Sequence, residues 1–154
     1  MDTSSRLKLA LATAFMVSTA LYSQPAERPK AEAMVKEGIA FLKAKGKDAF
    51  IAEVQQGSGR FHVKPGSTLY LMVYDTKGIT VAHGATPAAA GTNRWAIKDP
   101  DGKMIVQEII QTGLRKGGGW VDYKWPHPTT GKVEDKTTFC LAENGIVIGC
   151  GIYK

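Results

Sequence analysis

The stretch EDKTTFCLAENGIVIGCGIY, residues 134–153, decides the fold because two strand-like runs flank one tight turn. Residues 134–142 and Ile146–Tyr153 are rich in β-branched and aromatic side chains, and Glu143-Asn144-Gly145 lies between them. Asn-Gly is a strong signal for a hairpin, since both residues adopt a positive φ easily. The chain is therefore predicted to end in an antiparallel hairpin.

Three more strand-like runs precede this hairpin and predict a larger antiparallel sheet. They are Thr68–Asp75, Ile79–His83 and Trp120–Trp125. The first, TLYLMVYD, is almost entirely apolar or aromatic, as in a strand that is covered on both faces. Thr76-Lys77-Gly78 forms a tight turn to the second run, and glycines 117–119 precede the third.

Helical periodicity marks two other regions. Apolar residues recur near helical spacing within residues 31–54, with lysines between them, and Gly46 predicts either a kink or two consecutive helices. A later helix is predicted after a cap at Asp99 or Asp101. Its apolar side chains are Met104, Ile105, Ile109, Ile110 and Leu114.

The order of these elements is helix, two strands, a helix-bearing crossover and three strands. A helix first and an antiparallel meander last indicate the α+β class. The 154 residues, 44% of them hydrophobic and 22% charged, are typical of one ordinary globular domain. A domain of this size buries about two-thirds of the surface of its unfolded chain, so its stability requires no metal or cofactor.

The first residues have the features of a secretory signal peptide. Arg6 and Lys8 form a short basic start, and the apolar run Leu9–Leu21 contains no charge. Ser18 and Ala20 have the spacing of a signal peptidase site, and a cut after Ser23 is the alternative. A membrane anchor is the competing interpretation, but a bilayer span needs about 20 apolar residues and this run is shorter.

These features divide the chain into three parts and predict export. We expect a signal peptide at residues 1–23, a linker with two prolines at 24–30 and a single domain at 31–154. The mature protein would be periplasmic or secreted, where disulfides persist. An exported protein rarely meets nucleic acid, so we expect no nucleic-acid partner despite the formal net charge of +6. The charge supports only a weak preference for anionic ligands.

No pattern in the sequence points to catalysis or to a bound metal. The histidines at 62, 83 and 127 lie far apart and lack the spacing of zinc ligands. Glycines 117–119 are not followed by the Gly-Lys-Ser/Thr of a phosphate loop, and no G-x-S-x-G motif is present. Asp99 and Asp101 are better explained by capping and turn formation than by catalysis. We expect no catalytic residue, no metal site and no cofactor.

The two cysteines lie on the two arms of the C-terminal hairpin, where the turn length decides whether they can bond. A two-residue Asn144-Gly145 turn would place Cys140 opposite Gly149 and point Cys150 to the other face. A three-residue loop that includes Ile146 would place the cysteines opposite each other and permit a bond. We expect a Cys140–Cys150 disulfide, and two buried thiols are the alternative.

Several segments together form a pattern of consistent order and spacing. They are 41–50 (FLKAKGKDAF), 69–75 (LYLMVYD), Gly78, Ala82-His83, Gly91, Asp99, Asp101-Gly102, 118–126 (GGWVDYKWP), 136–139 (KTTF) and 147–153 (VIGCGIY). Together they resemble the single Cache domain family of extracytoplasmic sensor modules, over roughly residues 31–153. Two departures concern the ligand side: family members often have His-Pro at His83-Gly84 and Tyr at Phe139.

The resemblance implies a PAS-like Cache fold, in which a long N-terminal helix packs on a five-stranded antiparallel sheet. It also implies a pocket on the opposite face, which in such modules holds small molecules, often organic acids or amino acids. Many of these modules are fused to receptors or kinases, so a membrane receptor or kinase is the expected partner. The two departures mean that ligand identity does not transfer.

Alternation along Trp120–Trp125 places Val121, Tyr123 and Trp125 on one face of the strand. The resemblance implies that this face lies toward the ligand. The implied ligand-binding residues are Tyr70, His83, Tyr123, Trp125 and Lys136. Lys136 would suit a carboxylate as a point charge, and His83 could donate a hydrogen bond. The alternative is that the two aromatic residues are ordinary core and that Lys136 is solvated at the sheet edge.

We therefore expect a non-enzymatic, exported sensor module that binds a small organic acid or a similar metabolite. It would act alone or through a separate signalling partner. The alternative function is that of a scaffold or assembly protein that uses the same fold without a pocket ligand.

Export predicts a defined start of the mature protein. N-terminal sequencing of protein recovered from outside the cytoplasm should give a first residue between Leu21 and Ala26. An intact Met1 terminus on protein from the cytosol would contradict the signal peptide.

Overall fold

The computed structural model describes residues 24–154 and contains a five-stranded antiparallel sheet with helices on both faces. The elements are α1 Gln24–Lys45, α2 Lys47–Gln55, β1 Leu71–Asp75, β2 Thr80–His83, a short 3-10 helix Pro87–Ala89, α3 Ile105–Gly113, β3 Gly119–Pro126, β4 Val133–Glu143 and β5 Ile146–Tyr153. The strand order is β2-β1-β5-β4-β3. The predicted signal peptide at 1–23 lies outside the described residues.

The predicted α+β architecture is confirmed. Helix α1 and the shorter α2 cover one face of the sheet, and Gly46, with φ 86°, separates them into two consecutive helices. Leu42 and Phe50 pack there against the strand residues Leu71 and Ile148 in a fully apolar core. Within the described part of the chain, no helix has both the length and the apolar character needed to cross a bilayer.

Residues 24–30, predicted as a linker, are instead the first turns of α1. Pro29 lies inside this helix and removes one backbone donor. Contacts with the sheet hold the turn despite that loss. The Arg28 guanidinium lies 4.6 Å from the ring centroid of Trp120, whose indole Nε1 donates to Glu32 at 3.2 Å. Tertiary packing therefore overrides the local proline signal.

Helix α3 packs on the opposite face of the sheet, where Ile109 and Ile110 meet Val147 of β5. The predicted aspartate cap is wrong, because Met104 occupies the N-cap position. Asp99 instead organises the preceding loop. Its carboxylate accepts backbone N–H bonds from residues 101 and 103 at 2.9 Å and from residue 124, on β3, at 3.1 Å.

The C-terminal hairpin has the two-residue turn, since Glu143 pairs with Ile146 across Asn144-Gly145. This register directs Cys140 into the core beneath α3 and Cys150 into the core beneath α1. The predicted disulfide is therefore wrong: both cysteines are free and buried. Burial raises the pKa of each thiol to about 12, so both stay protonated.

The chain makes a close backbone contact where β2 ends. Gly84 donates its N–H to the carbonyl of Leu71 at 2.8 Å and accepts from the N–H of Val63 at 2.9 Å. A Cβ at position 84 would overlap the carbonyl oxygen of Phe61. A proline here would also lack the donor that Leu71 requires. Glycine at this position thus has a structural reason.

Gly84→Ala should destabilise the domain by about 1–3 kcal/mol, because the added methyl group meets backbone that cannot move aside cheaply. Urea unfolding would measure the change. Gly57→Ala is the matched control, since nothing lies within 4 Å of a Cβ at position 57. Equal unfolding midpoints for the two variants would contradict the close approach at Gly84.

Candidate ligand-binding site

A cavity of about 390 Å³ lies between the sheet and a roof formed by α3 and the segment that follows β2. The structure brings all five sequence-predicted residues together around it: Tyr70, His83, Tyr123, Trp125 and Lys136. They come from four different strands or their ends. The cavity therefore exists only in the folded sheet.

Strand alternation and register supply the floor of the cavity. Tyr70, Met72 and Tyr74 point into it from β1 and the residue before it, because every second residue shares a face. Lys136 on β4 pairs with Tyr123 on one side and with Tyr153 on the other. These three side chains form a row across the sheet. Sequence reasoning identified Tyr123 and Lys136 but missed Tyr153.

Lys136 is the most unusual residue of the site because it is only 1% exposed. Its Nζ donates to the hydroxyl of Tyr70 at 2.9 Å and lies 4.7 Å from the ring centroid of Tyr153. Burial lowers the pKa of Lys136. Among the described residues, no carboxylate oxygen lies within 4.0 Å of this nitrogen.

The alternative of a solvated Lys136 at the sheet edge is wrong, since β4 lies between β5 and β3. A glycine makes room for the side chain. A Cβ at Gly151 of β5 would overlap the Cε of Lys136. The lysine is thus built into the sheet and does not extend over its rim.

His83 is held as a neutral hydrogen-bond donor. Its Nδ1 accepts backbone N–H bonds from Ala85 at 3.3 Å and Thr86 at 3.0 Å, so the proton is on Nε2. Burial lowers the pKa of His83 to about 4, and the charges of Arg94 and Lys136 act in the same direction. At neutral pH the imidazole therefore contributes one N–H and no charge.

The tyrosine hydroxyls differ in how well they are paired. Tyr123 shares a hydrogen bond of 2.8 Å with Thr138 Oγ1, so its hydroxyl has a partner within the protein. Within residues 24–154, the hydroxyl of Tyr74 has only a 3.9 Å contact with the sulfur of Met72. Burial raises the pKa of Tyr70 and Tyr74 to about 12, which keeps both hydroxyls protonated.

Sequence reasoning also missed Tyr74, Arg94 and the roof of the cavity as parts of the site. Tyr74 could have been found, because it follows Tyr70 at strand spacing. Ile105 and Ile109 were predicted as helical core, and they form the apolar roof. Arg94 lies in an irregular segment without periodicity, so no pattern indicated its position.

The polar side chains that line the cavity include several hydrogen-bond donors and two basic residues, Arg94 and Lys136. Among the described residues that line it, none is Asp, Glu, Asn or Gln. A neighbouring depression of about 200 Å³ differs, because Lys124 and Lys154 there pair with Asp101 and Asp122 at 2.8 and 3.0 Å. No cluster of three metal-ligating side chains occurs within residues 24–154.

Residues 43–154 match the family described as Single Cache domain 2. The chain is also similar to the sensor histidine kinase MctS of Rhizobium johnstonii, with 36% identity over 90 residues. That match covers 57% of this chain and 19% of the kinase, so the chain spans about a fifth of that relative.

Solved structures have the same fold. A methyl-accepting chemotaxis protein from Vibrio parahaemolyticus superposes with a TM-score of 0.71 at 21% identity, over 84% of this chain and 90% of that one. A Cache chemosensory domain, described for its carboxylic acid recognition, gives 0.62 at 21% identity, over 85% and 92%. The helices on a five-stranded sheet are thus a PAS-like Cache fold, and the chain belongs to the single Cache domain 2 family.

Proposed function

We propose that this chain is an extracytoplasmic sensor module that binds a small organic carboxylate in the cavity of about 390 Å³. The buried Lys136 ammonium carries the proposal. Taking a charge out of water costs several kcal/mol unless a counter-charge and hydrogen bonds replace the lost hydration. Tyr70 satisfies one of its three donors, and a ligand carboxylate would supply the missing anion.

The other polar groups suit the same ligand. The Tyr70 hydroxyl accepts from Lys136, so its own proton is free to be donated toward the cavity. His83 offers Nε2–H from the neighbouring strand, with its ring centroid 5.1 Å from that of Tyr70. Carboxylate oxygens accept several hydrogen bonds at once, so they suit a site in which Lys136, Tyr70 and His83 can all donate.

Apolar walls complete the site. Trp125 and Tyr123 border one side, and Ile105 and Ile109 form the roof. A largely apolar cavity with few convergent polar groups is typical of small-molecule sites, and its volume lies within their usual range. The carbon skeleton of an organic acid would fill the space between roof and floor.

The relatives support a sensory role. One is a sensor histidine kinase, and one structural neighbour is a methyl-accepting chemotaxis protein. We infer that a membrane receptor or kinase detects ligand binding to this domain, and that the domain lies in the periplasm or is secreted. The carboxylic acid recognition described for a neighbouring Cache domain agrees with the chemistry of this cavity. A scaffold without a ligand would have no use for a buried, unneutralised lysine.

Lys136→Met should remove carboxylate binding while it preserves the fold, because methionine keeps the apolar stem and removes the charge. We expect affinity to fall at least tenfold, about 1.4 kcal/mol. Titration calorimetry with a panel of short organic acids would measure it, after a thermal-shift screen in which a ligand at 100 times its Kd adds about 2.7 kcal/mol.

Lys132→Met is the matched control, since Lys132 is an exposed lysine on the loop of the β3–β4 hairpin. It should bind as the wild type does. Unchanged carboxylate affinity in folded Lys136→Met would contradict the site. A folded wild type that binds no organic acid in the panel would favour the scaffold.

The neutral state of His83 predicts a pH-dependent stability. Its pKa is about 4 in the folded state against 6.5 ordinarily, so the unfolded chain binds a proton first as the pH falls. The contribution of the neutral imidazole to the free energy of unfolding is fully present above about pH 6.5. It should decrease by up to about 3 kcal/mol as the pH falls to 4. His83→Asn, whose side-chain oxygen can still accept from the next turn, should flatten this profile in urea unfolding. His127→Asn should retain it, and identical profiles for both variants would refute the assignment.

A further inference from the structure

Asn144 occupies the tip of the β4–β5 hairpin in a backbone conformation that few side chains adopt. Its φ of 49° is the only positive φ of a non-glycine residue within residues 24–154, and Gly145 follows with φ 75°. Both values fit the two-residue type I′ turn, for which Asn-Gly is a preferred pair. Both residues are exposed, and nothing lies within 4 Å of a Cβ at position 145. The tip is thus open to water, with free space around it.

An exposed Asn-Gly pair can react with itself, and asparagine is among the thermolabile residues for this reason. The glycine nitrogen attacks the side-chain carbonyl carbon of the asparagine, and the new C–N bond closes a five-membered succinimide ring. The side-chain nitrogen leaves as ammonia, which carries away the proton of the attacking N–H. Water then opens the ring to aspartate or to isoaspartate, in which the main chain runs through Cβ. Glycine permits the attack because it has no Cβ to obstruct the ring.

The attacking nitrogen is available at this tip. Among the residues that the structure describes, the N–H of Gly145 donates to no backbone carbonyl. The attack also requires rotation of the Asn144 backbone, and exposed turn tips open locally at far lower free energy than the whole domain.

Asn93, the other asparagine of the sequence, is protected. The nitrogen that would have to attack it belongs to Arg94, and this N–H donates to the carbonyl of Gly78 at 2.8 Å. The Oδ1 of Asn93 accepts from the N–H of Trp95 at 2.9 Å, which holds the side-chain amide in place. Both reacting groups of Asn93 are therefore engaged in hydrogen bonds.

Asp101-Gly102 is the other pair in the sequence that favours a succinimide. The N–H of Gly102 donates to the carbonyl of Asp99 at 2.9 Å, and the Asp101 carboxylate pairs with Lys124 at 2.8 Å. This pair is held in the same way as Asn93, so the hairpin tip differs from both.

The turn at this tip sets the alignment of two strands that carry the candidate site. Glu143 pairs with Ile146 across the tip, and the same register continues along the hairpin to Lys136 and Tyr153. Isoaspartate would insert one extra carbon into the main chain at the tip. A two-residue type I′ turn has a fixed backbone geometry, so it cannot accept this carbon without distortion.

We propose that Asn144 is a site of spontaneous deamidation, and that isoaspartate at this position weakens the β4–β5 hairpin. The reaction requires only water and does not depend on a ligand of the cavity. It also places a new carboxylate next to Glu143, whose own carboxylate pairs with Lys43 at 3.0 Å. The product therefore differs from the encoded chain in charge and in main-chain length.

Incubation of folded wild type in warm, mildly alkaline buffer should convert Asn144 first, because the attacking nitrogen loses its proton more readily as the pH rises. Peptide mapping by mass spectrometry should show conversion at Asn144 at least about tenfold faster than at Asn93. Unfolding in urea should accelerate conversion at Asn93, since it releases the N–H of Arg94 from Gly78. Equal rates at the two asparagines of the folded protein would overturn the site. A rate at Asn93 that unfolding leaves unchanged would overturn its protection by hydrogen bonds.

The effect on the hairpin is measured on separated forms. Ion exchange isolates the isoaspartate form, and its urea unfolding midpoint should lie below that of fresh protein. Asn144→Asp is the control for charge alone, since it keeps the normal main chain, and it should unfold close to wild type. Asn144→Gly is the control for the incubation, because Gly-Gly also suits a type I′ turn and has no amide to react. Its midpoint should stay constant during the incubation. An isoaspartate form that unfolds at the wild-type midpoint would overturn the weakening of the hairpin.

Discussion

The cavity depends on one costly arrangement, a lysine ammonium buried inside a sheet that is covered on both faces. Three features make it possible. Gly151 leaves room for the side chain on the neighbouring strand, Tyr70 accepts one hydrogen bond, and the ring of Tyr153 offers a favourable face to the cation. None of these neighbours carries a full negative charge. Under the proposed function, a bound anion would complete an ion pair with this ammonium.

The two faces of the sheet bury different kinds of side chains. Beneath α1 and α2, residues such as Leu42, Phe50 and Ile148 form an apolar core. The face beneath α3 contains the cavity, the buried cation and the neutral histidine. Because alternation assigns successive strand residues to opposite faces, β1 and the residue before it contribute Leu71 and Val73 to the apolar core and Tyr70 and Tyr74 to the site. Stability and binding thus come from the same strands but from different side chains.

Local patterns were sufficient to predict the strands, the α+β order and the shared face of Tyr123 and Trp125, because each follows from turn chemistry and a period of two. The errors have a common cause, since tertiary contacts decided those features. Contact with Trp120 extends α1 through the predicted linker, and a one-residue difference in turn length separates Cys140 from Cys150. Arg94 could not be predicted at all, because an irregular segment has no periodicity to indicate which way a side chain points.

The charges of the cavity also bear on a question that the family resemblance left open. That question is whether the ligand is an organic acid or an amino acid. An amino acid brings an ammonium group, which a carboxylate at the site would neutralise. The cavity offers neither a carboxylate nor an amide side chain among its described lining residues, and Lys136 and Arg94 would repel the added cation. Like charges without a counter-ion in a largely apolar space are strongly unfavourable, so the proposed carboxylate site would disfavour a ligand that carries an ammonium group. Under the proposed function, selection for acids over amino acids would follow from the charges of the described lining residues and would need no dedicated residue.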